Sequence, residues 1–173
     1  LTHCDIKPAN IMIDKSGIIK LADFGIARMS DAATATMVGA GTPAYMAPEQ
    51  VRGEDPTRKT DIYALGVVLY EMLTGGERPF TGEGAQRTGS ISEKIRWEQI
   101  HADPTPPSHW NPDVSPEMEE IVLKCLEKDP DDRYETALDL LNAIELALGE
   151  VAEDVSTAQY KLATVIGKSI QLE

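Results

Sequence analysis

Asp5, Lys7 and Asn10 share one short stretch, His3-Cys4-Asp5-Ile6-Lys7-Pro8-Ala9-Asn10, and Asp23-Phe24-Gly25 follows a hairpin's length later. A carboxylate, a lysine, an amide and a second carboxylate, in that order, are the parts needed to move a phosphoryl group from Mg-ATP to a hydroxyl. A serine hydroxyl is a poor nucleophile. A carboxylate within hydrogen-bond reach, here Asp5, can align it and accept its proton as the new bond forms. Lys7 lies two residues on, so an extended loop points both side chains the same way. Its cation can then offset charge on the transferring group. Asn10 and Asp23 offer magnesium a carbonyl and a carboxylate oxygen, hard donors suited to that ion. The first stretch alone carries little information and would pass for an ordinary polar loop.

The surrounding sequence supplies elements that could hold these groups. Asn10 to Asp14 and Ile18 to Leu21 read as two short β-branched strands, with Lys15-Ser16-Gly17 as the turn and Gly17 free to take positive φ. Arg28 to Gly41 is small, polar and aperiodic, as in a loop. A helix is expected from about Thr60 to Thr74, stopped by Gly75-Gly76. It is apolar nearly all round, so it belongs in the middle of a domain. Gly75 to Gly89 reads as a loop, Ser90 to His101 as a helix, and Asp103 to Pro112 as an extended connector. Ser115-Pro116-Glu117 has the residues of a helix start. Met118, Ile121, Val122, Cys125 and Leu126 form its apolar stripe. A last helix, Tyr134 to Leu148, would bury Ala137, Leu138, Leu141, Ile144 and Leu148.

A third motif, Gly41-Thr42-Pro43-Ala44-Tyr45-Met46-Ala47-Pro48-Glu49, ends in Ala-Pro-Glu. With the His3–Asn10 stretch and Asp-Phe-Gly it makes an ordered set of three, which coincidence rarely produces. The chain from Leu1 to about Leu148 resembles the C-terminal lobe of a serine/threonine protein kinase. Asp61 to Gly66, Leu73-Thr74-Gly75 and Lys128 to Tyr134 resemble bacterial (Hanks-type) members. The resemblance implies a mainly α-helical C-lobe with a small β-hairpin at the catalytic loop, one part of the two-lobed α+β kinase fold. It would span residues 1–148, with 149–173 a C-terminal extension or the start of a linker.

The resemblance also assigns roles. Met12 would pack under the adenine ring of ATP and Ala22 would line the same pocket. The Thr42 hydroxyl would bridge Asp5 and Lys7. Asp61 would hydrogen-bond the catalytic-loop backbone, and Arg133 would pair with Glu49. The residues by themselves permit plainer readings. Met12 and Ala22 suit simple core packing, and Asp61 suits a carboxylate meeting the positive end of a helix dipole. Arg133 suits an exposed charge in a capping region. Thr34 and Thr36, between Asp23 and Glu49, are the expected phosphosites or else ordinary polar loop residues.

The sequence also departs from the family. Its 173 residues hold no glycine-rich strand–turn–strand, no strand lysine for the α/β-phosphates and no helix glutamate to pair with it. Those parts must be in place for activity. A fragment without its N-lobe, inactive by itself, is therefore expected, and the missing N-lobe of the same polypeptide is its first expected partner. Cys4 stands where the family usually carries the arginine that docks a phosphorylated loop residue, and a thiol cannot make that charge-assisted bond.

The functional expectation is transfer of the ATP γ-phosphoryl group, with Mg2+ as cofactor, to serine or threonine hydroxyls of protein substrates. The rivals are a pseudokinase or scaffold that keeps the fold for protein binding, and a free-standing helical interaction module. A net charge of −13, with 29 acidic against 16 basic residues, disfavours a nucleic-acid or anionic-membrane surface. Cys4 and Cys125 make neither a disulfide framework nor a metal pattern, which fits a reducing, cytoplasmic setting. The longest apolar run, Ile62 to Leu73, is too short to span a bilayer and contains Glu71. A membrane tether of the full-length protein is left open.

Overall fold

A computed structural model describes residues 2–23, 43–85 and 88–149. Two strands, β1 (Ile11–Ile13) and β2 (Ile19–Leu21), pair antiparallel with Ile11 opposite Leu21. The turn between them is set by Asp14, whose carboxylate accepts from the Ser16 and Ile18 amides at 2.9 and 3.0 Å. Gly17 takes φ 80°, a conformation that L side chains disfavour. Among the described residues five helices follow: α1 (Pro48–Arg52), α2 (Arg58–Thr74), α3 (Ile91–His101), α4 (Pro116–Cys125) and α5 (Ala137–Ala147). Short 3-10 turns at Pro8–Asn10, Pro43–Tyr45, Pro107–His109 and Pro130–Asp132 each begin with proline, whose fixed φ suits a tight first turn.

Helix α2 is the post around which the rest is built. Its Tyr63, Val67 and Tyr70 pack with Ala47, Phe80, Ile95, Val122 and Leu126. Its Ile62 packs with Ile121, Cys125, Leu140 and Ile144. Its Ala64 and Val68 pack with Ile6 of the His3–Asn10 stretch. A helix with apolar residues on every side can only be satisfied by neighbours on every side. Gly66 lets α4 come close: a Cβ there would lie 2.5 Å from Cys125 Cβ. The buried Cys125 thiol is pushed up to about 12 by desolvation, so it is a packing group rather than a nucleophile. Cys4 and Cys125 are not joined in a disulfide. Among the described residues no helix is long and apolar enough to cross a membrane.

The helix starts follow side-chain caps. Thr57 Oγ1 accepts from the Lys59 amide, so α2 begins two residues earlier than its apolar pattern implies. Ser115 caps α4 by accepting from the Met118 amide, as the Ser-Pro-Glu pattern implies. Gly75 closes α2 in the left-handed region at φ 77°.

Two expectations are corrected. Helix α5 starts at Ala137 rather than Tyr134, because Arg133 is extended and Thr136 caps the helix with Asp139. Its buried face is also different: Leu140, Ile144 and Glu145 are buried, whereas Ala137, Leu138 and Leu148 are exposed and Leu141 is half-buried. Leucines lie all round this helix, and contact with Ile62, Ile121 and Cys125 selects Leu140 and Ile144 for the core. Helix α1 is an addition to the sequence reading.

Candidate active site

The His3–Asn10 stretch leaves the core at His3 and returns to it at Ile6. The amides of His3 and Cys4 donate to the two oxygens of Asp61, at 2.7 and 2.8 Å. Asp61 sits in the first turn of α2, so the central helix holds this loop through its backbone. The Asp61 carboxylate also lies near the positive end of the α2 dipole, so both sequence readings of this residue are compatible with its position. Cys4 is held at φ 66°, which costs a non-glycine residue about 1–3 kcal/mol unless its surroundings determine it.

Beyond Cys4 the side chains converge. Lys7 Nζ donates to Asp5 Oδ2 at 2.8 Å. Asn10 Nδ2 donates to the same oxygen at 3.0 Å and to the Asp5 carbonyl at 2.8 Å. Lys7 is extended (φ −164°, ψ 161°), which returns its side chain to the face of Asp5. The 3-10 turn Pro8–Asn10 then swings Asn10 back under that carboxylate. Asn10 is buried and its NH2 group is spent on Asp5; its carbonyl oxygen takes no part in those bonds.

Asp23 reaches the same end of the hairpin by strand pairing. The Ala22 amide donates to the Asn10 carbonyl at 2.8 Å, one step beyond the Ile11–Leu21 pair. His3 Nε2 lies 3.0 Å from the Ala22 carbonyl, and the Asp5 amide donates to His3 Nδ1 at 3.4 Å. These partners assign the tautomer with the proton on Nε2. Asp23 is exposed, with φ 53°. An Asn carbonyl and an Asp carboxylate at one hairpin end are hard oxygen donors, which fit magnesium better than softer metals. Among the described residues no cluster of three or more His, Cys, Asp or Glu is placed to hold a metal.

Met12 and Ala22 lie on the hairpin rather than in the core. Met12 is 52% exposed and Ala22 half-buried, so neither is packed into the core of the described residues. Ile13, Ile18 and Leu21 are also exposed, so the hairpin carries an open apolar surface.

A second constellation surrounds Glu49 at the start of α1. Arg133 Nη1 and Nη2 donate to Glu49 Oε1 and Oε2, both at 2.8 Å. The remaining guanidinium N–H groups reach the carbonyls of Glu127, Lys59 and Lys128. Thr60 Oγ1 donates to Glu49 Oε1 at 2.8 Å, and the guanidinium lies 5.0 Å from the centre of the Tyr63 ring. Burial alone would raise the Glu49 carboxyl. Hydrogen bonding to Arg133 and its positive charge overcome that, and the group sits below its ordinary range. Arg133 is buried, so the reading of it as an exposed capping charge is excluded.

Three sequence candidates, Thr34, Thr36 and Thr42, lie outside the described residues. The sequence reading missed His3 as a tie to the second strand, Thr60 as the hydroxyl on Glu49, and Gln50. The Gln50 side chain accepts from the Ala47 amide at 3.0 Å and donates to the Cys4 carbonyl at 3.1 Å. Glutamine in the third position of a helix is a known capping signal and could have announced the first bond, not the second.

Residues 1–143 match the protein kinase domain model. The chain is 44% identical over 144 residues to the serine/threonine-protein kinase PknB of Mycolicibacterium smegmatis, a match covering 81% of this chain and 22% of that protein. It is 44% identical over 149 residues to the serine/threonine-protein kinase PrkC of Bacillus subtilis, covering 85% of this chain and 22% of that protein. It is 40% identical over 144 residues to PknB of Mycobacterium tuberculosis, covering 81% and 22%. The matched segment thus spans about a fifth of each of these relatives. A domain model matched over most of the chain, with bacterial relatives at this identity, establishes that the chain belongs to the protein kinase family, in its bacterial Hanks-type branch.

Proposed function

We propose that this chain is the C-terminal-lobe part of a protein serine/threonine kinase that transfers the γ-phosphoryl group of Mg-ATP to hydroxyls of protein substrates. The observation that carries the reading is the convergence of Lys7 and Asn10 on one oxygen of Asp5, at 2.8 and 3.0 Å. Asp5 Oδ1 is free of both of those bonds. It accepts a hydrogen bond from the substrate hydroxyl and takes its proton as the new oxygen–phosphorus bond forms and the bond from the γ-phosphorus to ADP breaks, ADP leaving with the bridging oxygen. Lys7 donates to the transferring group when substrate enters, and in its absence rests on Asp5. Asn10 and Asp23 would hold magnesium, which when bound offsets the phosphate charge. Met12 and Ala22 would meet the adenine ring, and Thr42 would bridge Asp5 and Lys7.

The open apolar hairpin supports a covering element contributed by an N-lobe of the full-length protein. Activity is therefore assigned to that protein, with Thr34 and Thr36 as candidate phosphosites and the cytoplasm as the setting. The test is phosphate transfer from labelled ATP to a protein substrate by full-length protein across a magnesium titration. Asp23→Asn should raise the magnesium needed for half-maximal transfer and lower the maximum. Parental magnesium dependence in this variant would remove the assignment and favour the scaffold reading.

A further inference from the structure

The peptide group that joins Cys4 to Asp5 is held from both sides. Its N–H donates to His3 Nδ1 at 3.4 Å, and its carbonyl accepts from Gln50 Nε2 at 3.1 Å. The preceding amides are fixed by Asp61. Cys4 itself is in the left-handed region, so relaxation of this residue would rotate the plane that carries Asp5. Of these tethers, Gln50 comes from outside the loop and outside α2. It stands on α1, next to Glu49, whose carboxylate is locked by Arg133 and Thr60. The other end of the same amide accepts from the Ala47 amide.

We propose that Gln50 is a positioning residue for phosphoryl transfer: its side-chain amide ties the Cys4–Asp5 peptide to the anchored start of α1 and so sets where the Asp5 carboxylate meets the substrate hydroxyl. The assignment rests on the role given to Asp5 above. The two ends of the amide separate this role from a purely structural one. The Gln50 oxygen caps α1, and the Gln50 nitrogen reaches the catalytic loop. Glutamate keeps the capping oxygen and sets a second oxygen against the Cys4 carbonyl. Lysine keeps a donor for Cys4 and gives up the cap.

The experiment compares Gln50→Glu and Gln50→Lys in full-length protein. Turnover, KM for ATP and thermal midpoint are read together, with hydrogen–deuterium exchange over residues 2–10. Displacing a reacting group by about 1 Å can cost about 100-fold in rate. Gln50→Glu should lose about 10- to 100-fold in kcat, with KM for ATP and the thermal midpoint near parental and faster exchange confined to residues 2–10. Gln50→Lys should keep most of its kcat and lose thermal stability instead. Parental kcat in Gln50→Glu, or a larger kcat loss in Gln50→Lys, would overturn the proposal. If the parental protein transfers no phosphate, the functional reading fails separately. Exchange then decides: acceleration over residues 2–10 in Gln50→Glu but not Gln50→Lys upholds the tether, and unchanged exchange removes it.

Discussion

Lys7 meets Asp5 at 2.8 Å, and Arg133 meets Glu49 at the same distance. The contacts match, but the surroundings do not. Lys7 and Asp5 are 22% and 41% exposed, whereas Arg133 and Glu49 are 0% and 4% exposed. Each N–H of the Arg133 guanidinium already has an oxygen partner, and Glu49 has a further donor in Thr60. Such a pair is shut off from any ligand by its burial. The Lys7–Asp5 pair has solvent on one side and can exchange partners at little cost. Ion pairs of equal length can therefore serve opposite ends: the closed one fixes the fold and the open one is available for chemistry.

Breaking the closed pair should have the larger effect on folding. Removing one member of a buried pair leaves an uncompensated charge and costs about 3–5 kcal/mol. Arg133→Met should show this in urea unfolding. Glu49→Leu combined with Arg133→Met should cost clearly less than the two single changes added, because neither charge is then left alone. Strict additivity would mean that the pair does not act as a unit.

Acid should weaken the same pair. The folded Glu49 carboxyl lies below its ordinary value of 4.5, so its contribution is fully present above that value. It is lost as pH falls through the folded value. Unfolding free energy should therefore drop from about pH 5 downward, and Glu49→Gln should flatten that part of the curve. An equally steep fall in the variant would assign the acid sensitivity to other carboxylates.

The open pair should barely register on the same scale. Lys7→Met should change unfolding free energy by less than about 1 kcal/mol, the usual worth of a solvent-exposed pair. A loss as large as that of Arg133→Met would erase the distinction between the two sites.

The open half of this contrast is legible in the sequence, because its residues sit in one short motif with local causes, whereas the pairing of Glu49 with Arg133 across 84 residues is expected only through the family resemblance. Asp5, Lys7 and Asn10 are brought together by one extended residue and one proline-led turn. The central helix announces itself through apolar residues on every face, and Ser115 and Gly75 mark helix ends through their own backbone bonds. What stays hidden depends on partners far away along the chain. Nothing near Gln50 indicates that its nitrogen reaches Cys4, and the leucines of α5 do not reveal which of them faces Ile121. Helix α1 is too short for periodicity to speak, although Pro48 at its first turn and Gly53 at φ 77° behind it are ordinary start and stop signals.

The most direct test is single-turnover phosphate transfer by full-length Asp5→Asn at saturating Mg-ATP, with the unfolding midpoint recorded on the same sample. Asp5 as the proton-accepting carboxylate predicts a rate about 10²–10⁴-fold below parental, the usual worth of a positioned base, with the unfolding midpoint close to parental. A near-parental rate would contradict the account, since the open pair would then be no more chemical than the closed one.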